Sequence, residues 1–190
     1  MTSYLAPIEK PKGLTIKLLY AAMRRQMGKV PTPFAVFAAR MPPAFARFVG
    51  KISQLDKKLD LAPSTVLIVR EHVARVNSCS FCMDFARWYA LKESPDDVAR
   101  IDALPEYQTS PLFSDAERAA LDYATELTEQ KHVELATFRR LEAYYSEREI
   151  CDIVWVIASE HVYNLSNHGL NIGSDGFCRL RPAEQTHAAS

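Results

Sequence analysis

The stretch from Pro63 to Val76, PSTVLIVREHVARV, constrains this chain most. At 100° per residue, Val66, Val69, Val73 and Val76 share one helical face, while Leu67, Ile68 and Ala74 place apolar groups on other sides. A helix that is apolar around most of its circumference is buried on more than one side. It is therefore either the central helix of its domain or a helix whose second face meets another subunit.

The rest of the chain punctuates helices. Segments near 14–27, 32–41, 43–59, 79–92 and 134–144, with a short one after Ser94-Pro95, are separated by Gly and Pro. Ser114-Asp-Ala-Glu117 and Ser146-Glu-Arg-Glu149 read as capping boxes, opening helices to about Glu129 and His168. Asn77-Ser78 reads as a break, with Ser78 the N-cap of the next helix. Strand signals are nearly absent: the chain has only 6 glycines, and no Asn-Gly or Asp-Gly turn joins two alternating runs. The expectation is a single all-α domain over 1–190, with 1–30 an N-terminal extension and 175–190 an irregular tail. In the last helix an apolar line runs through Ile150, Ile153, Val154, Ile157, His161 and Leu165, with one histidine in it.

Charge excludes some partners. Lys+Arg and Asp+Glu are both 23, a formal net charge of +0, which speaks against nucleic acid and against a polybasic membrane anchor. No apolar run approaches the ~18 residues of a transmembrane helix, and the first residues lack a secretory pattern. A cytoplasmic protein with reduced thiols is expected. In that setting, close cysteines point to redox or metal chemistry before structure.

Cys79-Ser80-Phe81-Cys82 is the sharpest motif. Two cysteines at this spacing can close a disulfide within one helical turn, and the first stands at a helix N-terminus, where the dipole favours thiolate. A thioredoxin fold needs a strand before the pair, and a helix precedes it here. Zinc needs four ligands, and Cys151 and Cys178 stand alone. Two buried structural cysteines remain the plain alternative. No cofactor is called for.

Three polar groups interrupt the apolar helix. Were it to run straight through Asn77-Ser78, His72 would lie about 20° from Cys79 on the wheel, and Glu71 and Arg75 about 20° from Cys82. Glu71 or His72 could then take a thiol proton and Arg75 could stabilise thiolate. The alternative is a plain i, i+4 ion pair between Glu71 and Arg75. His161 is either a hydrogen-bonded core residue or a base that approaches Cys79 and Cys82 across the helix packing. Asn167 and His168 read as helix-terminating, His132 as a loop residue, Asp84 as structural, Trp155 as core, and Cys151 as buried.

REHVARVNSCSFCMDFARWYAL, followed by EREICDIVWVIASEHVYNLSNHGLNIGSDGFC, resembles the carboxymuconolactone decarboxylase and alkylhydroperoxidase D-like family over roughly residues 30–178. The resemblance implies an orthogonal multi-helix bundle, with a long central apolar helix leading into the Cys-x-x-Cys helix, assembled as homo-oligomers. It also implies a peroxidase-like oxidoreductase in which Cys79 and Cys82 reduce a hydroperoxide or disulfide and an external thiol restores them. The peroxidase branch carries a histidine four residues after the second cysteine and a glutamate twelve before the first. Those positions are Ala86 and Leu67 here, so the redox pair is kept and its acid/base support is not. The decarboxylase branch does not rely on such a pair. Two further readings follow: a redox-sensing or binding module on the same fold, or a different reaction on the shared scaffold.

Overall fold

Proline and capping side chains set the helix starts. The computed structural model describes residues 2–179. Helices α1 (Leu14–Met27), α2 (Thr32–Val36), α3 (Pro43–Asp56), α4 (Pro63–Val76), α5 (Ser80–Glu93), α6 (Val98–Ala103), α7 (Asp115–Gln130), α8 (Leu135–Glu142) and α9 (Glu147–Gly169) follow in order. Short 3₁₀ turns cover Ala38–Arg40, Pro95–Asp97, Leu104–Glu106 and Phe177–Arg179. Pro43 and Pro63 occupy the first helical position, where the missing N–H has no partner to lose. Ser114 and Ser146 each form a complete capping box, with Glu117 and Glu149 reaching back.

The chain is an all-α orthogonal bundle with no strand among the described residues. Helix α4 lies at its centre, packed by α5, α6, α7 and α9. It buries Thr65, Ile68, Val69, Glu71, His72, Val73 and Ala74, which is the all-round burial its composition demands. Its partner surfaces come from α7 (Leu121, Ala124) and α9 (Ile153, Val156, Ile157). A second buried cluster gathers Val36, Ala74, Cys79, Phe81, Cys82, Trp88, Ile172 and Phe177. No helix among the described residues is long and apolar enough to cross a membrane.

Candidate functional site

The junction between α4 and α5 differs from the expected N-cap. Ser78 has φ 57, in the left-handed region. Its N–H donates to Arg75 O at 2.8 Å and the Cys79 N–H donates to Ala74 O at 2.8 Å. These paired bonds are a Schellman closure of α4, so Ser78 ends one helix and Cys79 is the N-cap of the next. The turn breaks the straight wheel that would have set Glu71, His72 and Arg75 beside the sulfurs.

Cys79 and Cys82 are joined as a disulfide, with their Cα atoms 5.3 Å apart. Cys79 is 1% exposed and Cys82 8%. The polar groups that reach the sulfurs come from α9. Asn164 Nδ2 lies 3.1 Å from Cys82 Sγ, and Asn167 Nδ2 lies 3.4 Å from Cys82 Sγ and 3.6 Å from Cys79 Sγ. Asn164 is the hub. Its Nδ2 also donates to Glu160 Oε1 at 2.6 Å, and its Oδ1 accepts from Asn77 Nδ2 at 2.8 Å. An amide in this position cannot rotate without breaking several bonds, so its donor is aimed at Cys82 in advance.

Behind Asn164 the charges are buried. Glu160 is 4% exposed, and its Oε2 lies 3.7 Å from Arg70 Nε. Burial pushes its carboxyl up to about 7, against the pull of Arg70 and of the Asn164 donor. Arg70 in turn donates to Asp56 Oδ2 at 3.1 Å, and Trp155 Nε1 donates to Asp56 Oδ1 at 3.0 Å. A connected polar line thus runs from Asp56 on α3, through Arg70 and Glu160, to the Asn164 amide at Cys82.

His161 reaches this line only through Asn77, two residues from the Cys82 sulfur, and does not touch the pair. Its Nδ1 lies 3.4 Å from Asn77 Nδ2 and its Nε2 lies 3.3 Å from Thr128 Oγ1. Burial, helped by Lys131, lowers its pKa, so the ring is neutral, with Nδ1 accepting and Nε2–H donating. His168 Nε2–H donates to Asn77 O at 2.7 Å and so fixes the junction turn. His72 turns the other way: its Nε2 bonds Thr125 Oγ1 at 2.7 Å, its ring stands edge-on to Tyr107, and burial lowers its pKa to about 4.

Glu71 is fully buried, and no hydrogen bond ties it to either sulfur. Arg75 Nε approaches Glu71 Oε1 to 3.0 Å, but off the N–H direction, so neither carboxylate oxygen has a properly aligned partner. Burial pushes Glu71 up to about 8, with Arg75 pulling it down and Glu160 adding to the rise. Arg75 itself donates to Ile101 O at 3.3 Å.

The remaining cysteines are separate. Cys151 is exposed, contrary to the sequence expectation, because it lies on the outer side of α9. Cys178 is half-buried beside Asp84; its thiol is pushed up to about 11 by burial and by that carboxylate. Among the described residues no three His, Cys, Asp or Glu side chains gather as a metal-ligand set. An open apolar groove of about 440 Å³ lies between the N-terminal segment and the end of α9, lined by Leu5, Phe37, Met41, Leu165 and Leu170, with Val36 as its floor. Val36 also packs in the disulfide cluster.

Asn164 and Asn167 as sulfur partners, and Glu160 behind them, escaped sequence reading. A signal existed. From Ile150, Ile153 and Ile157, the same alternation of three and four residues leads to Glu160, Asn164 and Asn167, and all six are buried. The line drawn through His161 and Leu165 leaves the core instead: Leu165 is 67% exposed.

No protein-family model matches the chain. The uncharacterized protein YnjA of Escherichia coli K12 is 28% identical over 161 residues, which is 83% of this chain and 86% of that protein. Among solved structures, the debrominase Bmp8, in a cysteine-to-alanine variant bound to 2,3,4-tribromopyrrole, matches with a TM-score of 0.79 and 19% identity, over 99% of this chain and 98% of that one. A peroxidase-related alkylhydroperoxidase AhpD core protein from Ralstonia eutropha JMP134 matches with a TM-score of 0.70 and 20% identity, over 92% of this chain and 94% of that one. The bundle, its central helix and the bonded pair at the start of α5 together give this chain an alkylhydroperoxidase D-like fold, with the Cys-x-x-Cys motif at Cys79 and Cys82.

Proposed function

We propose that the protein is a dithiol reductase, in which Cys79 and Cys82 deliver two electrons to a small, neutral, apolar electrophile. The supporting observation is the pair of α9 amides at Cys82 Sγ. A disulfide sulfur accepts hydrogen bonds weakly, whereas a thiolate accepts them strongly, so these donors favour the reduced, ionised form. Cys82 has two such donors and greater exposure than Cys79, which favours Cys82 as the attacking sulfur and Cys79 as the resolving one. Among the described residues no cationic side chain hydrogen-bonds either sulfur, and the walls are Val36, Ala74, Phe81 and Ile172, which suits an uncharged substrate.

Ala86 and Leu67 stand where the peroxidase branch keeps its acid/base groups, and the debrominase is the better structural match. Both favour a reaction other than hydroperoxide turnover. For a bromoarene, the Cys82 thiolate attacks bromine, the C–Br bond breaks, and the carbon keeps the electron pair and takes a proton from water. Cys79 thiolate then attacks the Cys82 sulfenyl bromide, releases bromide and closes the disulfide. For a hydroperoxide, attack on the distal oxygen breaks the O–O bond and gives an alcohol and a sulfenic acid, which Cys79 converts to disulfide and water. An external dithiol returns two electrons and two protons in either case.

The test uses anaerobically reduced protein with 2,3,4-tribromopyrrole, cumene hydroperoxide or oxidised glutathione, plus excess dithiol. Turnover of the bromopyrrole with loss of two thiols per event is expected, and Cys82→Ser should be inert. Faster turnover of the hydroperoxide would restore the peroxidase reading. Oxidation of the pair without turnover of any electrophile would refute the reductase and leave a redox switch. Self-association belongs to the same proposal. Val154, Ala158, Val162 and Leu165 form an exposed, uncharged stripe along α9 that a second copy could cover. Leu165→Glu should lower the mass measured by light scattering; an unchanged mass would exclude this face.

A further inference from the structure

The segment after α9 holds the second key to this site. The sulfurs are almost closed to solvent, yet any reductant or electrophile must reach them. Part of what closes them is not a helix. Ile172 and Phe177 are packed in the same buried cluster as Cys79, Phe81 and Cys82. Between them runs Gly173-Ser174-Asp175-Gly176, and a Cβ on Gly173 would stand 3.8 Å from Ser80 Oγ, inside the Cys-x-x-Cys turn.

This strap has a hinge and two pins. The hinge is Asn171, with φ 53: its N–H donates to His168 O at 3.1 Å and the Ile172 N–H donates to Asn167 O at 2.8 Å. These two bonds repeat the Schellman closure found at Ser78. Asn167, whose carbonyl anchors the hinge, is the residue whose side chain reaches both sulfurs. The first pin is Asp84 on α5, which accepts from Ser174 Oγ at 2.9 Å, Phe177 N at 2.9 Å and Cys178 N at 3.0 Å. Against the upward push of burial, the Cys178, Phe177 and Ser174 donors hold its carboxyl below the usual carboxylate range. The second is Asp175, which accepts from Thr32 N at 2.8 Å and Thr32 Oγ1 at 2.6 Å and pairs with Lys29 Nζ at 3.1 Å. Phe177 adds an apolar anchor, its ring centroid 5.5 Å from Trp88 and 5.8 Å from Phe85.

Helices are held by ladders of backbone bonds. The strap is held chiefly by the Asp84 carboxylate on its backbone, by its own Asp175 carboxylate on Thr32 and Lys29, and by two apolar residues. Such a segment opens locally at a free energy below that of global unfolding. We propose that Ile172–Cys178 is a lid over the Cys79–Cys82 pair, pinned by Asp84 and Asp175, that lifts about Asn171 to admit the electrophile and the external thiol.

The proposal rests on the redox reading of the pair, but its test does not require turnover. Oxidised protein is mixed with dithiothreitol, and disulfide cleavage is followed by quenched alkylation and mass. Asp175→Ala removes one pin outside the cysteine helix. Its reduction rate should rise about tenfold, the net effect of losing both Thr32 hydrogen bonds and the Lys29 pair from the closed state after the freed groups are rehydrated. Thr32→Val, a milder cut at the same pin, should give about threefold. Leu141→Ala weakens the other core cluster and reports access through global unfolding. Wild-type rates in both pin variants, or equal acceleration in Leu141→Ala, would overturn the lid. An accelerated reduction without any electrophile turned over would sink the reductase and leave the lid standing.

Discussion

The Glu160–Asn164–Cys82 contact makes the acidity of the Cys82 thiol a measurable quantity. Glu160 Oε1 and Cys82 Sγ stand 2.6 and 3.1 Å from the same amide nitrogen, so they lie less than ~6 Å apart. At an effective dielectric of about 20, two negative charges at ~6 Å repel by about 3 kcal/mol, or roughly two pKa units. Glu160 titrates near 7, so the thiol and the carboxyl must lose their protons as a coupled pair rather than independently. Glu160→Gln keeps an acceptor for the Asn164 amide and removes the charge. It should therefore lower the Cys82 pKa by about one to two units, the direct repulsion being partly offset by Arg70. Asn164→Leu does the opposite. It deletes a donor to the thiolate worth about 1.5–3 kcal/mol, so the pKa should rise by about one to two units.

The assay is the pH dependence of iodoacetamide alkylation, in a background carrying Cys79→Ser, Cys151→Ser and Cys178→Ser, so that Cys82 is the sole thiol. The parent should titrate in two overlapping steps and Glu160→Gln in one. Shifts below about 0.3 units in both variants would mean that neither the amide nor the carboxyl senses the sulfur. Shifts of the same sign would also refute the reasoning, because the two substitutions act on opposite terms.

Other outcomes follow from the same geometry. Ser78→Gly should stabilise the fold by about 1 kcal/mol, because only glycine takes the left-handed position of a Schellman turn without cost; a lower denaturation midpoint would contradict that reading. Glu71 ionises near 4.5 when unfolded and near 8 when folded, so the native state holds the extra proton and stability declines as pH rises through that window, by at most about 1.4 kcal/mol per pH unit. Glu160 adds to the decline, while His72, lowered from 6.5 to about 4, opposes it at the acid end of that range. Glu71→Gln should flatten the curve in chemical denaturation, and a curve parallel to the parent's would show that Glu71 is not the source. In the native oxidised protein Cys151 should alkylate well before Cys178, whose thiol is pushed up to about 11 beside Asp84; equal rates would place Cys178 in solvent.

The helix starts at Pro63, Ser114 and Ser146 were legible because they are written in local chemistry, whereas the segment expected to run helical to Met41 leaves the α-helix after Val36. Pro at a first helical position and a Ser-x-x-Glu box satisfy or remove backbone donors that a helix start leaves free, whatever packs above them. Ser78 was misread for the same reason that made the others readable. Serine favours an N-cap, and only the packing of α5 against α4 forces it to end the preceding helix in a conformation it adopts at a cost. Burial direction was harder. On α9 two apolar lines run side by side, and Val154 and Leu165 fit an apolar stripe as well as Ile153 and Ile157 do. Hydrophobicity alone chose the wrong continuation after Ile157.

What distinguishes the two lines is the cost of their polar members. A half-exposed line can carry His161 at little cost, whereas a buried line that carries Glu160, Asn164 and Asn167 must satisfy every one of them. In this bundle those partners are Arg70, Asn77 and the two sulfurs, contributed by α4, the junction turn and α5. The polar half of the stripe is thus affordable only where the cysteine pair stands, and the cysteine pair gains aimed donors only where the stripe turns polar. An apolar replacement of all three would remove that desolvation cost, so their place in the core is a reason to look for chemistry at Cys82 rather than for stability in α9.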